Sequence, residues 1–385
     1  MRTMQPCVTI GSYLWAQDRM PYDEFLLRLP PLHAAMDANG WPAVLAFGDV
    51  REHGGLAYLT NFIPRVRWGM ALLPRTGEAR LLCAMSTRDL PAMRTLTWIA
   101  DVQSGMGPEW TRQFDPWFAR FAGEQALRLG TVGFDIMAPA LRQAVERSLG
   151  ARFSLQRADD VVGLPSPRKR PRELTMLRAS CKLLDAAVET MVQSWRANHA
   201  PEAAALEAER MARARAAQDV RTLISLDAGH TLVPFQGRFE TCEGPLVAYI
   251  AVKLAGYWAD MFVTVDDGTA QLAAVKAQAA LDAAIASVRP GASRGEVHAK
   301  AAAALAPLKL HRALSGSVGH GIGLSLHEGP EFNASEAATL EDGGVYTVQV
   351  GAADDRAGHA LLSAIVRCTA KGAEVLARSS SAVGG

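Results

Sequence analysis

One glycine- and histidine-rich string, SGSVGHGIGLSLHEGPEFN at residues 315–333, constrains the fold more than any other segment of the chain. Glycines alternate with other residues around His320, so the backbone there can approach a ligand closely or adopt a positive φ. His327 follows seven residues later, and both imidazoles can reach one pocket if the chain turns between them. Because imidazole transfers protons near neutral pH and is a common metal ligand, the string predicts a functional site.

Length and charge limit the classes of protein to which the chain can belong. Its 385 residues exceed one ordinary core and predict two domains, at roughly 100–200 residues each. The 40 Lys and Arg residues nearly balance the 39 Asp and Glu residues, giving a formal net charge of +1. This balance argues against a nucleic-acid binder and against a protein held on anionic membranes by its charge.

Targeting and cysteine patterns predict a cytoplasmic protein. No apolar run approaches the ~20 residues that span a bilayer, and the N-terminus lacks the apolar core of a signal peptide. The five cysteines are scattered without a C-x-x-C pair, which argues against a disulfide framework or a zinc knot. We expect small buried apolar side chains at all five: Cys7, Cys83, Cys181, Cys242 and Cys368.

A Pro- and Arg-rich segment, VVGLPSPRKRPRE at 161–173, indicates a linker between domains at 1–165 and 166–385. The first domain alternates helix and strand patterns, with WPAVLAFG and GLAYLTNF as predicted strands, which indicates a small α/β domain. The second begins with a long amphipathic helix, followed by further helices and by strands with glycine turns. We expect the basic run Arg168-Lys169-Arg170 in the linker to be solvated.

Other positions are candidates for binding or chemistry. Asp260 lies in the apolar segment GYWADMF, where a carboxylate is costly unless it is paired or coordinated. His230 follows a glycine in the loop before this segment. In the first domain, the segment NFIPRVRWG places Arg65 and Arg67 beside the aromatic residues Phe62 and Trp68. Such a pair of arginines suits a carboxylate-bearing ligand. From the residues alone, a capping Asp, an incidental loop His and solvated arginines remain alternatives.

In this order, these segments resemble the creatinase, aminopeptidase P and methionine aminopeptidase superfamily. The resemblance covers the whole chain and rests above all on GHGIGLSLHEGP, with GYWAD and the helix start RPRELTMLRAS before it. It implies a creatinase-type α/β N-terminal domain followed by a C-terminal domain with the pita-bread fold. It also implies a homodimer, because the N-terminal domain in this superfamily typically completes the site of its neighbour.

The resemblance also implies that most metal ligands have been lost. The superfamily's metallopeptidases hold two metal ions with two Asp, one His and two Glu, of which Asp260 matches the second Asp and His320 the His. The other positions fall at neutral residues: Tyr249 or Ile250, Gln349, and at or near Ser363. Two divalent cations about 3.5–4 Å apart need several anionic oxygens. We therefore expect no metal, no other cofactor and no metal-dependent Xaa-Pro aminopeptidase activity.

The resemblance points instead to a creatinase-like enzyme that hydrolyses a C–N bond in a small, carboxylate-bearing nitrogen compound without metal. It implies that His230 lies near the catalytic histidine position, and that His320 and His327 move the proton or stabilise developing negative charge. Asp260 and Glu328 would orient the cationic part of the substrate. The other expected substrate contacts are Arg65 and Arg67, supplied by a second copy of the chain, with Phe62, Tyr249, Gln349 and Ser363.

Two alternatives stay open. The same scaffold could carry a different reaction, such as ring opening of a cyclic amidine or a lyase step, since the superfamily contains both kinds of activity. It could also be a non-catalytic peptide-binding protein, because pita-bread domains without metal ligands also bind peptides or proteins. Retention of the whole string GHGIGLSLHEGP favours an enzyme, whereas the missing polar site residues favour a binding protein.

Overall fold

The computed structural model describes residues 13, 15–107, 110–121, 127–162, 166–265 and 272–379. The chain forms two compact units, Met1–Pro165 and Ser166–Gly385. Both contain helices and strands, so the predicted mixed α/β class is confirmed. In the described ranges, no helix is long and apolar enough to cross a membrane. Some sequence predictions fall outside these ranges: Cys7, linker residues 163–165 and the helix start expected from residue 267.

The first unit is built on one six-stranded mixed sheet. Its strands are β1 (Ala43–Asp49), β2 (Trp68–Pro74), β3 (Arg80–Cys83), β4 (Asp101–Ser104), β5 (Leu127–Val132) and β6 (Phe153–Arg157). They lie in the order β4-β3-β2-β1-β5-β6, with β1–β2 and β2–β3 antiparallel and the other three pairs parallel. The helices are α1 (Tyr22–Leu26), α2 (Leu29–Asn39), α3 (Gly54–Thr60), α4 (Leu90–Met93), α5 (Asp115–Phe118), α6 (Pro139–Leu149) and α7 (Asp159–Val162).

Two local predictions for the first unit are wrong. Most of GLAYLTNF forms helix α3 rather than a strand, and the helix ends at Asn61 in the left-handed conformation (φ 62°). A short apolar run that is almost wholly buried has no periodicity by which a helix can be told from a strand. The double proline does not kink a helix either. Helix α2 begins at Leu29, so Pro30 and Pro31 stand in its first turn, where a missing N–H is tolerated.

The second unit combines four helices with two antiparallel sheets. The helices are α8 (Pro171–Asn198), α9 (Pro201–Ala214), α10 (Leu272–Ser287) and α11 (Arg294–Leu305). The strands are β7 (Asp219–Ile224), β8 (Leu246–Leu254), β9 (Tyr257–Val265), β10 (Lys309–Leu310), β11 (Gly319–Gly321), β12 (Val345–Asp354), β13 (Gly358–Thr369) and β14 (Gly372–Arg378). One sheet has the order β7-β8-β9, and the other has the order β10-β12-β13-β14 with β11 also paired to β12.

Helix α8 and the hairpin β8–β9 show how the sequence specifies this unit locally. The stripe predicted on α8 is largely buried, as at Leu177, Cys181 and Leu184, and it packs against β8 and β9. The apolar segment 246–265 is one hairpin. Its turn residues Ala255 and Gly256 both have positive φ (48° and 89°), as a two-residue hairpin turn of matching twist requires.

The two sheets of the second unit meet where β9 lies beside β13. The backbone N–H of Phe262 donates to the Ser363 hydroxyl oxygen at 2.9 Å. The Thr264 hydroxyl donates to the Leu361 carbonyl at 2.9 Å and accepts from its N–H at 2.8 Å. Hydroxyl side chains therefore satisfy the backbone groups at this seam and bring β9 alongside β13.

Helix α10 offers a matched test of where the core of the second unit lies. Leu281 is fully buried in that core, whereas Leu272 on the same helix is 53% exposed. We expect Leu281→Ala to lower the free energy of unfolding by about 2–5 kcal/mol, since it leaves a cavity. The control Leu272→Ala should change it by less than about 1 kcal/mol. Urea unfolding followed by circular dichroism measures both, and equal losses would contradict this packing.

Candidate active site

The glycine- and histidine-rich string turns back on itself and brings its two histidines together. Strand β11 carries His320, and reciprocal backbone hydrogen bonds of 2.8 Å between Gly321 and Glu328 close the loop that follows. His327 therefore returns to stack on His320, with ring centroids 3.9 Å apart and planes 16° from parallel. The seven-residue spacing thus places both imidazoles at one site.

The three glycines around His320 are required for close packing rather than for positive φ. A Cβ at Gly319 would lie 2.6 Å from the Thr347 carbonyl oxygen. One at Gly321 would lie 2.8 Å from the Glu328 carbonyl oxygen, and one at Gly323 would lie 2.6 Å from the Glu328 carboxylate. Any larger residue at these positions would push the loop off β12 or off Glu328.

Asp260 is the buried carboxylate on which the site is built. Only 1% of its surface is exposed, and its side chain receives hydrogen bonds from the Thr347 hydroxyl at 2.7 Å and the Tyr249 hydroxyl at 3.2 Å. Nε2 of His320 lies 3.5 Å from its Oδ2. The other ring nitrogen of His320, Nδ1, lies 2.9 Å from the Gly321 carbonyl oxygen. Nδ1 thus has an oxygen partner, whereas Nε2 is buried beside the Asp260 carboxylate without a hydrogen-bond partner among the described residues.

The charges of this cluster follow from its surroundings. Burial raises the pKa of Asp260, but His320 and the Thr347 hydroxyl lower it by more, so it lies below its ordinary value. Burial lowers the pKa of His320, but the Asp260 carboxylate raises it above its ordinary value. Burial and the neighbouring His320 both lower the pKa of His327. These shifts favour the carboxylate form of Asp260, the protonated form of His320 and the neutral form of His327.

A cavity of about 750 Å³ opens in front of this cluster. Four of the residues predicted from the sequence line it: His230, Tyr249, His327 and Gln349. Other lining residues include Arg221, Phe262, His311, Arg312 and Glu331. The volume suits a small molecule, and the lining combines aromatic surface with groups of both charges.

Glu328 is not among the residues that line the cavity, and its carboxylate forms a buried ion pair with Lys169. Its carboxylate accepts a hydrogen bond from Lys169 Nζ at 2.5 Å and another from the Leu324 N–H at 3.0 Å. Both charged side chains of the pair are at most 3% exposed. The expectation that the basic run 168–170 is solvated is therefore wrong for Lys169, which neutralises Glu328.

Ser363 also lies outside the cavity lining, and the three first-unit candidates lie in the segment between helix α3 and strand β2. Ser363 is fully buried on β13, where its hydroxyl accepts from Phe262. Phe62 is buried in the first unit, Arg65 is half-buried beside it, and exposed Arg67 lies 3.5 Å from Met106 Sδ. The predicted role of these arginines in the site of a second copy stays a prediction.

Arg221 and Arg312 line the cavity but were not predicted from the sequence. Arg221 projects from the exposed face of β7, with its guanidinium 4.7 Å from the Trp258 ring centre. Arg312 lies in a short turn, where it donates to the His230 carbonyl oxygen. The alternation of buried and exposed residues along β7 could have placed Arg221 on one face. No local signal marks Arg312.

The residues at the superfamily's metal positions do not fit a centre of two metal ions. Tyr249 uses its hydroxyl to donate to Asp260, and Ser363 uses its hydroxyl to accept from the backbone. Gln349 is a neutral amide, so it adds no negative charge where the family's metallopeptidases have a carboxylate. One carboxylate, Asp260, cannot offset four positive charges.

Two groups of three side chains among the described residues have potential ligand atoms within 4.8 Å of one another. One is Asp260, His320 and His327. The other is His230 with Asp355 and His359. The rings of His230 and His359 lie 3.9 Å apart, so His230 reaches the cavity lining from a second histidine cluster.

The Lys169–Glu328 pair gives a stability prediction. Lys169→Met should lower the free energy of unfolding by about 3–5 kcal/mol, because it leaves a buried carboxylate without a counter-charge. Arg178→Met is the matched control, since it breaks an exposed pair with Glu374 and should cost at most about 1 kcal/mol. Urea unfolding measures both, and a loss for Lys169→Met no larger than that of the control would contradict the role of this pair.

The sequence of the second unit matches a known protein family. Residues 175–370, more than half of the chain, match the profile of metallopeptidase family M24. No curated protein sequence matches the chain.

Solved structures share the fold along nearly the whole length. The prolidase from Pyrococcus horikoshii OT3 is similar at a TM-score of 0.76 and 18% identity, covering 93% of this chain and 99% of that one. The X-Pro aminopeptidase from Thermotoga maritima MSB8 gives 0.74 and 18%, covering 91% and 98%. The N-terminal domain of the FACT complex subunit SPT16 from chickpea, Cicer arietinum, gives 0.65 and 15%, covering 94% and 96%.

The family and fold implied by GHGIGLSLHEGP are thereby confirmed. The profile match includes Asp260, His320 and the three positions at which this chain lacks a carboxylate. The chain belongs to metallopeptidase family M24, a family of hydrolases, and it carries the pita-bread fold of that family.

Proposed function

We propose that the chain is a hydrolase that cleaves a C–N bond in a small, carboxylate-bearing nitrogen compound without a dinuclear metal centre. One observation carries the proposal: the Asp260–His320 pair lies against His327, which lines the cavity and whose pKa is lowered by burial and by His320. An enzyme that lacks a Lewis acid must move protons and stabilise developing charge with side chains alone. This cluster contains groups of that kind.

His327 is the proposed acid and base. It accepts a proton from water as the water oxygen attacks the carbon of the C–N bond. It then returns that proton to the nitrogen as the bond breaks, so the group ends the cycle unchanged. The stacked His320 imidazolium keeps His327 neutral and able to accept the proton. Asp260 and His320 are positioning residues in this scheme, since they act through His327.

Gln349 is the proposed donor to the oxygen that becomes negative during attack. Its side chain lines the cavity from β12, in register opposite Ser363 of β13. An amide can donate a hydrogen bond to an oxyanion, whereas a carboxylate at this position would repel it. A neutral amide at position 349 therefore suits a hydrolysis that uses no metal ion.

Arg221 and Arg312 are the proposed contacts for the substrate carboxylate. Both line the same cavity as His327 and Gln349. Guanidinium groups bind carboxylates through paired hydrogen bonds, which would fix the distance from the carboxylate to the scissile bond. Arg65 and Arg67 of a second copy would then be additional contacts in the proposed homodimer.

The cellular site follows from the thiols. The four cysteines that the structure describes are unpaired, and Cys83, Cys181 and Cys368 are buried. Free thiols of this kind suit a reducing compartment. We therefore propose a cytoplasmic enzyme.

The proton-transfer role of His327 has a direct test. Turnover of amidino acids, cyclic-amidine acids and Xaa-Pro dipeptides is measured with a chelator present, in wild type and in His327→Gln. We expect His327→Gln to lower kcat by ~10²–10⁴-fold with little change in KM, because the base is lost. His298→Gln, a half-buried histidine of α11 outside the cavity lining, is the control and should keep full activity. Equal turnover in His327→Gln and wild type would contradict the mechanism.

The variant Gln349→Glu distinguishes the proposed metal-independent hydrolysis from a metal-dependent peptidase activity. In the proposed mechanism the new carboxylate repels the oxyanion, so kcat should fall by ~10²-fold or more whether or not Mn²⁺ or Zn²⁺ is added. In a metal-dependent peptidase the same change would add a ligand. A rise in metal-dependent turnover of Xaa-Pro dipeptides in this variant would therefore overturn the proposal.

The carboxylate contacts are tested by comparing free acids with their amides. Arg221→Gln and Arg312→Gln should each raise KM for the free acid by about tenfold and leave KM for the amide unchanged. Arg65→Gln and Arg67→Gln, measured in parallel, report on the contribution of a second copy. An effect confined to the first-unit arginines would move the carboxylate site away from Arg221 and Arg312.

A non-catalytic binding protein is the second candidate. The likeness to a domain of a FACT complex subunit favours it, as does the neutrality of Gln349 and Ser363. Binding of the same compounds by calorimetry, with no turnover in wild type, would favour this candidate over the hydrolase.

A further inference from the structure

The second histidine cluster has the composition of a metal site that is separate from the M24 metal positions. It is formed by His230, Asp355 and His359, whose potential ligand atoms all lie within 4.8 Å of one another. None of the three belongs to the Asp260–His320–His327 cluster. Two imidazoles and one carboxylate are a common ligand set for zinc.

His359 is the observation that points to a ligand. It lies at the start of β13 and is only 8% exposed, yet neither Nδ1 nor Nε2 has a hydrogen-bond partner among the described residues. A buried polar group without a partner is unfavourable, because it has lost its hydrogen bonds to water. Its potential ligand atom lies within 4.8 Å of those of His230 and Asp355, which are both exposed.

The loop that carries His230 is held in a defined conformation against His359. Gly229 has φ +96°, and a Cβ there would lie 2.8 Å from the His359 Cβ, so only glycine lets the loop lie on His359. The Asp227 carboxylate accepts from the Thr231 N–H at 2.9 Å and from the Ser225 hydroxyl at 2.8 Å. His230 is therefore carried on a loop that is fixed on both sides.

A neighbouring histidine secures the same loop without competing for a ligand. Nδ1 of His311 accepts from the Ala313 N–H at 3.1 Å, so Nε2 carries the proton and donates to the Gly229 carbonyl at 2.8 Å. His311 thus has no lone pair left for a metal. Among the residues that the structure describes, the ligand set at this cluster is His230, Asp355 and His359.

We propose that His230, Asp355 and His359 bind one Zn²⁺ ion, with a fourth position open to water. Ligands of tetrahedral zinc lie about 2.0–2.2 Å from the metal, so their mutual distances are about 3.4 Å. Small rotations of the two exposed side chains bring the ligand atoms from within 4.8 Å to that spacing. The ion joins the loop that carries His230 to the turn between β12 and β13, at the rim of the cavity. The proposal does not depend on the reaction proposed above.

Zinc binding tests this assignment without any measurement of turnover. Metal-free protein is dialysed against Zn²⁺ and its bound zinc is measured by mass spectrometry, and Co²⁺ titration reports ligand geometry through its visible absorption. Wild type should bind one ion per chain, with a zinc-dependent rise in Tm. His359→Leu should weaken binding by ~100-fold or more and abolish the rise in Tm. Because this change replaces unpartnered polar atoms with an apolar side chain, the variant should fold without metal.

Matched variants assign the ion to one cluster or the other. His230→Gln and Asp355→Asn alter exposed side chains and should weaken zinc binding while leaving the metal-free Tm unchanged. His327→Gln and His298→Gln should bind zinc as wild type does. Absence of stoichiometric zinc in wild type would overturn the proposal. Loss of zinc in His327→Gln but not in His230→Gln would also overturn it, since the ion would then lie at Asp260.

Discussion

The Asp260 carboxylate is the constraint on which the rest of the site depends. It is buried on β9, and it receives hydrogen bonds from Tyr249 of β8 and Thr347 of β12 and faces His320 of β11. Removing a carboxylate from water is costly unless several partners compensate it. Satisfying this one charge therefore links the three-stranded sheet to the five-stranded sheet and fixes the position of His320.

Charge balance explains how this family member differs from a dinuclear metallopeptidase. With Asp260 as the sole carboxylate at the family's metal positions, its natural counter-ion is the His320 imidazolium, a single positive charge of matching size. Gln349 and Ser363 avoid the mutual repulsion that carboxylates would suffer without metal. Burial and the charge of His320 together lower the pKa of His327, which favours its neutral form. In the proposed mechanism, these neutral residues leave His327 as a base beside the cavity.

Local patterns predicted much of this arrangement, and long-range partners account for the rest. The string at 315–333 predicted that His320 and His327 share one site, because glycines allow the close turn that the structure shows. The partner of Glu328 is Lys169, which lies 159 residues earlier and could not be found from spacing. Arg312 and the pairing of His230 with His359 also depend on how distant segments pack. The helix at GLAYLTNF was missed because burial on all sides removes periodicity.

Anomalous diffraction from crystals grown with Mn²⁺ and Zn²⁺ locates each bound ion without reference to a substrate. It therefore tests whether a dinuclear centre forms at Asp260 and His320. We expect no pair of ions between Asp260 and His320, and the contact between these two side chains should persist. Two anomalous peaks about 3.5–4 Å apart at Asp260 and His320 would contradict this expectation. They would show that a dinuclear centre forms although Asp260 is the sole carboxylate at the family's metal positions.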